Sequence, residues 1–160
     1  MGCGKSTLGK KLASKLNYAF IDLDKIVEEI AEMTIAEYFK EYGELKFREL
    51  ESDILQSTEF PEQAVIATGG GAPCFYNNME WMNENGATVY ISMSPRALAD
   101  RLKGSQSERP LIKDLDGEEL VDFIAEKLEA RKPFYDKAKY IINGIDISPE
   151  KVMKVLSIPS

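Results

Sequence analysis

The chain has 160 residues, 44% hydrophobic and 29% charged, the composition of one compact domain with a core of its own. With 20 basic against 27 acidic residues the net charge is −7, so no diffuse positive field is available to hold DNA or RNA. There is no histidine, which removes imidazole bases, His-containing triads and most zinc sites and leaves the chemistry to carboxylates, lysine, arginine, hydroxyls and backbone.

Short β-rich runs alternate with longer helical ones, the pattern of an α/β layer fold with a mainly parallel sheet. The opening, Met1-Gly2-Cys3-Gly4-Lys5-Ser6-Thr7, carries the second half of a phosphate loop, G-x-x-x-x-G-K-[ST]. In such a loop Gly4 lets the backbone approach phosphate oxygens. Successive N–H groups point at them, Lys5 adds a flexible positive charge, and Ser6 can ligate magnesium. The bland alternative is a glycine-rich tail ahead of a helix. The loop's first glycine and the strand that should precede it are not in the sequence, which fits a fragment, a start placed at an internal methionine, or a shortened form. Leu8, Leu12 and Leu16 then predict a first helix ending near Asn17.

A strand is expected over 18–22, with Asp22-Leu23-Asp24 at its carboxyl end. If the extended geometry continues, the two carboxylates face one site about 6.5–7 Å apart, one orienting magnesium and the other taking a hydroxyl proton. Asp24 could instead only cap a helix. From 25 to about 60 the pattern supports two or three helices, broken near Met33–Thr34 and at Tyr42–Gly43. Arg48 and Glu51 are i, i+3 neighbours there. They read either as a surface pair worth a few tenths of a kcal/mol or with Arg48 as a bidentate clamp for a substrate carboxylate.

The strand expected over 64–68 runs directly into Gly69-Gly70-Gly71. Such a run serves unusual φ/ψ or lets something approach the backbone closely, offering N–H groups to an anion; a plain tight turn is the alternative. A helix follows Asn77, a strand covers 87–92 and a helix runs from Pro95 to Leu102. The polar stretch 103–117, with Arg109-Pro110, reads as a loop, and its arginine makes a lid the sharper possibility. Leu120, Ile124 and Leu128 stripe a further helix that carries Arg131, which is either a snorkelling arginine or a second clamp. Pro133 is expected to kink or end that helix. A strand over 139–143 and a helix from Pro149 to Leu156 close the chain. Cys3 and Cys74 make no disulfide framework, and no apolar run approaches the ~18 residues of a bilayer span. A cytoplasmic protein without a membrane or nucleic-acid partner is expected.

Together GCGKST, the D-L-D at Asp22 and Asp24, G-E-L-K-F-R-E-L-E around Arg48, the triple glycine, R-P-L-I at Arg109 and R-K-P-F-Y-D-K-A from Arg131 to Ala138 resemble the shikimate kinases. These are small P-loop enzymes akin to nucleoside monophosphate kinases. The motifs stand in the family's order over essentially the whole chain. The resemblance implies transfer of the ATP γ-phosphoryl group to the 3-hydroxyl of shikimate, on the route to chorismate and aromatic amino acids. It implies that Lys5 contacts the β/γ-phosphates and that Gly2, Gly4, Ser6 and Thr7 belong to the ATP site. On that resemblance Ser6 would ligate Mg²⁺ and Asp22 join its shell through water, while Asp24 would hold the accepting hydroxyl as base. By the same resemblance Arg48 and Arg131 would grip the carboxylate, with Gly70 and Gly71 supplying backbone contacts. Arg109 would close over the transferring phosphate, and Arg101 resembles the family's adenine-side arginine, slightly further from Arg109 than in the family pattern.

The implied architecture is a single three-layer P-loop kinase domain over 1–160, with shikimate-binding helices at about 25–60 and a lid at about 103–117, working as a monomer on ATP and shikimate. The implied strand order is 2-3-1-4-5, with strand 1, the central one, absent from the sequence. Losing a central strand leaves two interior edges unpaired, a cost beyond the ~5–15 kcal/mol margin of a typical domain. The expectation is therefore a chain that is poorly folded or inactive alone, or a rearranged sheet. A related kinase of gluconate or of a nucleoside monophosphate is a rival reading, disfavoured by the two arginines and the glycines. A non-catalytic kinase-like binding module is another.

Overall fold

The computed structural model describes residues 4–103, 112 and 114–159. Helix α1 (Lys5–Leu16) starts on Gly4 at φ 81° and closes on Asn17 at φ 57°, both left-handed; the Asn17 cap turns the chain directly into β1 (Ala19–Asp22). Asp22 ends the strand and caps α2 (Leu23–Ala31), its carboxylate accepting from the Asp24 backbone N–H at 3.1 Å. This corrects the reading of Asp22 and Asp24 as strand neighbours. Asp24 lies in the first turn of α2, where a carboxylate also suits the helix dipole.

Thr34 opens α3 (Ile35–Ser57) with a reciprocal capping box, accepting from Glu37 N at 3.1 Å while the Glu37 carboxylate accepts from Thr34 N at 2.7 Å. The break expected at Gly43 is present as a non-helical residue at φ 83°, ψ 170°. Only glycine occupies that region without strain. Because nothing lies within 4 Å of where a Gly43 side chain would begin, Gly43→Ala tests backbone strain alone. It should cost about 1–3 kcal/mol in urea unfolding.

The remaining elements are β2 (Ala64–Ala67), a 3₁₀ turn (Ala72–Cys74), α4 (Asn78–Asn85), β3 (Val89–Ser92), α5 (Pro95–Lys103), α6 (Gly117–Tyr135), β4 (Tyr140–Asn143) and α7 (Pro149–Val155). Pro133 does not end α6, which runs on to Tyr135. Only the last turn lies beyond the ring, and Asp136 N–H still bonds Lys132 C=O at 2.9 Å, so the helix loses little. The strands form two parallel pairs: β1 on β2, with Ala19 opposite Ala64 and Asp22 opposite Ala67, and β3 on β4, with Val89 opposite Tyr140 and Ser92 opposite Asn143. These pairings match the 2-3 and 4-5 neighbours of the implied order, and among the described residues the two pairs remain separate sheets, with no rearranged pairing.

Three buried clusters hold the layers. One joins α1, β4 and α7 through Leu12, Ile142, Val152 and Met153, with Val65 of β2 and Val89 of β3 against it, so α1 and α7 bridge both strand pairs. A second packs α5 on α6 through Leu98, Leu102, Leu120 and Ile124. The third packs α2 on α3 through Leu23, Val27, Phe47 and Leu55. Ile66 and Ile141 keep 38% and 52% of their surface in water, so β2 and β4 are covered less completely than strands inside a continuous parallel sheet.

Candidate active site

Gly69, Gly70 and Gly71 leave the carboxyl end of β2 and enter the 3₁₀ turn, with Ala72 N–H on Gly69 C=O at 3.2 Å and Cys74 N–H on Gly71 C=O at 3.0 Å. Positive φ does not explain them, since Gly4, Gly43 and Gly117 are the described glycines that have it. Close approach does. A methyl group on Gly69 would stand 3.1 Å from the Asp24 carboxylate, one on Gly70 2.7 Å from Arg131 Nη1, and one on Gly71 inside the Arg48 guanidinium. Each bare Cα is thus covered by one predicted functional side chain, delivered from α2, α6 and α3 respectively.

Asp24 is half-buried. Desolvation first, and then the Asp22 carboxylate, hold its carboxyl above the usual Asp value, while Lys5 and Arg48 pull it back. Lys5 of α1 and Arg48 of α3 therefore both lie within electrostatic reach of this one carboxylate. A carboxyl held up in this way binds a proton more firmly than a solvated Asp, as a general base needs.

Arg48 is 8% exposed and does not lie on the surface, as a bland ion pair would require. Its Nη1 donates to Glu51 at 2.9 Å, and Glu51 is 1% exposed. Burial pushes the Glu51 carboxyl up and Arg48 opposes that. The guanidinium also lies over the Phe75, Phe47 and Phe39 rings, at 4.6, 5.2 and 5.9 Å. Its Nη2 reaches Glu44 at 3.4 Å, whereas its Nε is buried without a hydrogen-bond partner among the described residues. Aromatic walls and a single buried carboxylate fix the cation in place and leave donor capacity for an anion. Glu51 and the phenylalanines are functional neighbours that sequence reading undervalued, although Phe47-Arg48-x-x-Glu51 at helical spacing contains the signal.

Arg131, half-buried near the end of α6, reaches the same place. It acts on Glu51 and Cys74 electrostatically, as Arg48 does, and its Nη1 stands 3.4 Å from the Tyr135 hydroxyl. Tyr135 is a second missed neighbour, one helical turn beyond Arg131.

At the phosphate end, α1 begins with Lys5, Ser6 and Thr7 following Gly4. Among the described residues no side chain caps its first N–H groups, and no acidic residue stands in the first turn, so the end suits an anion. Arg101 of α5 comes to this loop, its Nη1 3.2 Å from where a Gly4 side chain would begin. Gly2 and Arg109, with most of the lid expected over 103–117, lie outside the described residues. Among the described residues no group of three or more Cys, Asp or Glu gathers to hold a metal unaided.

Lys5 and Arg48 both act on Asp24, and Arg48 and Arg131 both act on Glu51, so a phosphate-type helix start, an acidic side chain and two guanidiniums lie in one charged cluster. The model of the shikimate kinase family matches residues 1–157. The chain belongs to the shikimate kinase family. The shikimate kinase of Bacteroides thetaiotaomicron is 49% identical over 147 residues, covering 92% of this chain and 84% of that protein. The Bacteroides fragilis shikimate kinase is 44% identical over 99% of this chain and 93% of its own length. Among solved structures, the B. thetaiotaomicron shikimate kinase superposes with a TM-score of 0.92 at 45% identity, covering 98% of this chain and 94% of that one. The Acinetobacter baumannii shikimate kinase in complex with shikimate superposes at 0.81 with 30% identity, over 98% and 89% of the two chains. The fold is accordingly the P-loop kinase fold, and the activity is ATP-dependent phosphoryl transfer to shikimate.

Proposed function

We propose that the chain phosphorylates the 3-hydroxyl of shikimate with Asp24 as base, Arg48 and Arg131 as the carboxylate clamp, and Lys5 with the α1 N-terminus as the phosphate cradle. The observation that carries this assignment is the glycine platform, on which Asp24, Arg131 and Arg48 each cover one successive Cα. A small acid with a carboxylate at one end and hydroxyls at the other matches that spread of two cations and one carboxylate. Asp24 takes the hydroxyl proton as the new O–P bond forms and the bond from the γ-phosphorus to the β-bridging oxygen breaks, releasing ADP. Lys5 and the first-turn N–H groups hold the negative oxygens while charge moves onto the leaving group. Arg48 and Arg131, anchored before substrate arrives, keep the hydroxyl in line.

Mg²⁺ fits the donors present. Ser6 offers an exposed hydroxyl in the first turn, and Asp22 spends one oxygen on the Asp24 N–H and keeps the other. When bound, the ion neutralises phosphate charge, and Mg²⁺ commonly takes only one or two protein oxygens beside nucleotide and water. Gly4, Thr7 and Arg101 are assigned to the nucleotide side, with Gly2 and Arg109 joining them on sequence grounds; Gly70 and Gly71 are assigned to the acceptor side. No helix among the described residues is long and apolar enough to cross a membrane. The proposed setting is a cytoplasmic, monomeric single domain acting on small molecules, with 25–60 as its acceptor-binding part.

A coupled assay for ADP with Mg·ATP checks the assignment. ADP release should depend on shikimate and stay at background with gluconate, a nucleoside monophosphate, or the carboxamide of shikimate at the same concentration. Equal turnover of shikimate and its carboxamide would remove the arginine clamp.

A further inference from the structure

Tyr135 is not used by the mechanism above, yet it touches both halves of the acceptor receptor. Its hydroxyl donates to the Gly70 carbonyl and stands 3.4 Å from Arg131 Nη1. A methyl group on Gly70 would meet that hydroxyl at 3.1 Å and Arg131 Nη1 at 2.7 Å, so phenol, guanidinium and glycine backbone form one contact. The ring is held from the other side by Tyr90 of β3, centroid to centroid at 4.8 Å. Since Tyr135 follows Arg131 by four residues on α6, one helix face presents both groups to the platform.

The geometry points to Tyr135 as the positioning residue that sets shikimate affinity, by clasping the Gly70 carbonyl and the Arg131 side chain in the arrangement that receives the carboxylate. A glycine run leaving a strand has little rigidity of its own, because nothing on its residues restricts the backbone. One hydroxyl fastened to its middle carbonyl removes that freedom, while the Tyr90 contact fixes where the hydroxyl stands. Tyr135 neither touches the phosphoryl group nor exchanges a proton with it. Its influence is confined to the acceptor carboxylate, and the inference rests on Arg131 binding that carboxylate.

Tyr135→Phe keeps the ring and its contact with Tyr90 and removes only the hydroxyl. Shikimate binding, followed by calorimetry and as KM on the full chain, should weaken about five- to tenfold, about the net worth of the one hydrogen bond that fixes the platform. The ATP KM and kcat should stay close to wild type. The carboxamide of shikimate, which cannot use the guanidinium, should bind wild type and Tyr135→Phe equally. Unchanged shikimate affinity would overturn the inference, and so would equal weakening toward shikimate, carboxamide and ATP, which would mark Tyr135 as merely structural. If wild type itself binds shikimate no better than the carboxamide, the Arg131 assignment fails first and the clasp falls with it. Full discrimination by wild type with an unaffected Tyr135→Phe variant refutes the clasp alone.

Discussion

Asp24→Asn should lower kcat by about 10²–10⁴-fold, the range over which a positioned general base contributes, while the ATP KM changes little. Asparagine keeps the side-chain shape beside Gly69 and can still contact a hydroxyl, but it cannot accept the proton. The pH profile makes the test specific. Only ionised Asp24 acts as base, and its carboxyl is held above the ordinary value, chiefly by desolvation and then by Asp22. Wild-type kcat/KM should therefore fall as pH drops through that raised pKa, and the residual activity of Asp24→Asn should lack this acid limb. Stability should move the opposite way. Between the unfolded and the folded pKa the native state binds more protons than the unfolded one, so stability declines as pH rises across that window. Above it the charged carboxylate is a standing cost. Asp24→Asn should be more stable than wild type in urea at alkaline pH and no more stable below the unfolded pKa. An unaltered kcat, or an acid limb that survives the substitution, would remove Asp24 as the base.

Arg48→Ala should fail twice. Shikimate KM should rise about 10²-fold or more with the loss of a bidentate cation. Unfolding free energy should drop by about 3–5 kcal/mol, because Glu51, 1% exposed, is left as a buried charge without its partner. The double variant Arg48→Ala/Glu51→Gln separates the two effects. Replacing the stranded carboxylate by a neutral amide should recover much of the stability and none of the shikimate affinity. Calorimetric melting beside the coupled assay reads both. If the double variant regained affinity, Arg48 would owe its position to folding and not to the acceptor.

Periodicity located the elements well because each strand and helix here obeys its local pattern. Leu8, Leu12 and Leu16 wind α1, and Asn17 stops it. Gly43 interrupts α3 because a φ of 83° excludes other residues. Local patterning expected a kink or an end at Pro133, and the end does not occur there, since the penalty of a proline depends on how much helix follows it and only the final turn does. It misjudged Asp22 and Asp24. Period-two reasoning holds only while the strand lasts, and the N-cap at Asp22 turns the chain before Asp24.

The site divides along the same line. The phosphate-loop half GKST, the Asp22–Asp24 pair, the triple glycine and the arginines could be named from sequence, because their chemistry is carried by residue type and short spacing. The environment of each group belongs to the tertiary structure. Arg48 and Glu51 read equally well as a surface pair until helix packing buries them among Phe39, Phe47 and Phe75. The glycines could serve φ/ψ or close approach until Asp24, Arg131 and Arg48 arrive from three different helices to cover them. Sequence alone determined which groups the chain owns and the order in which it carries them. Their convergence, desolvation and mutual charge came only with folding, because burial and Coulomb attraction depend on distances through space that chain separation does not encode.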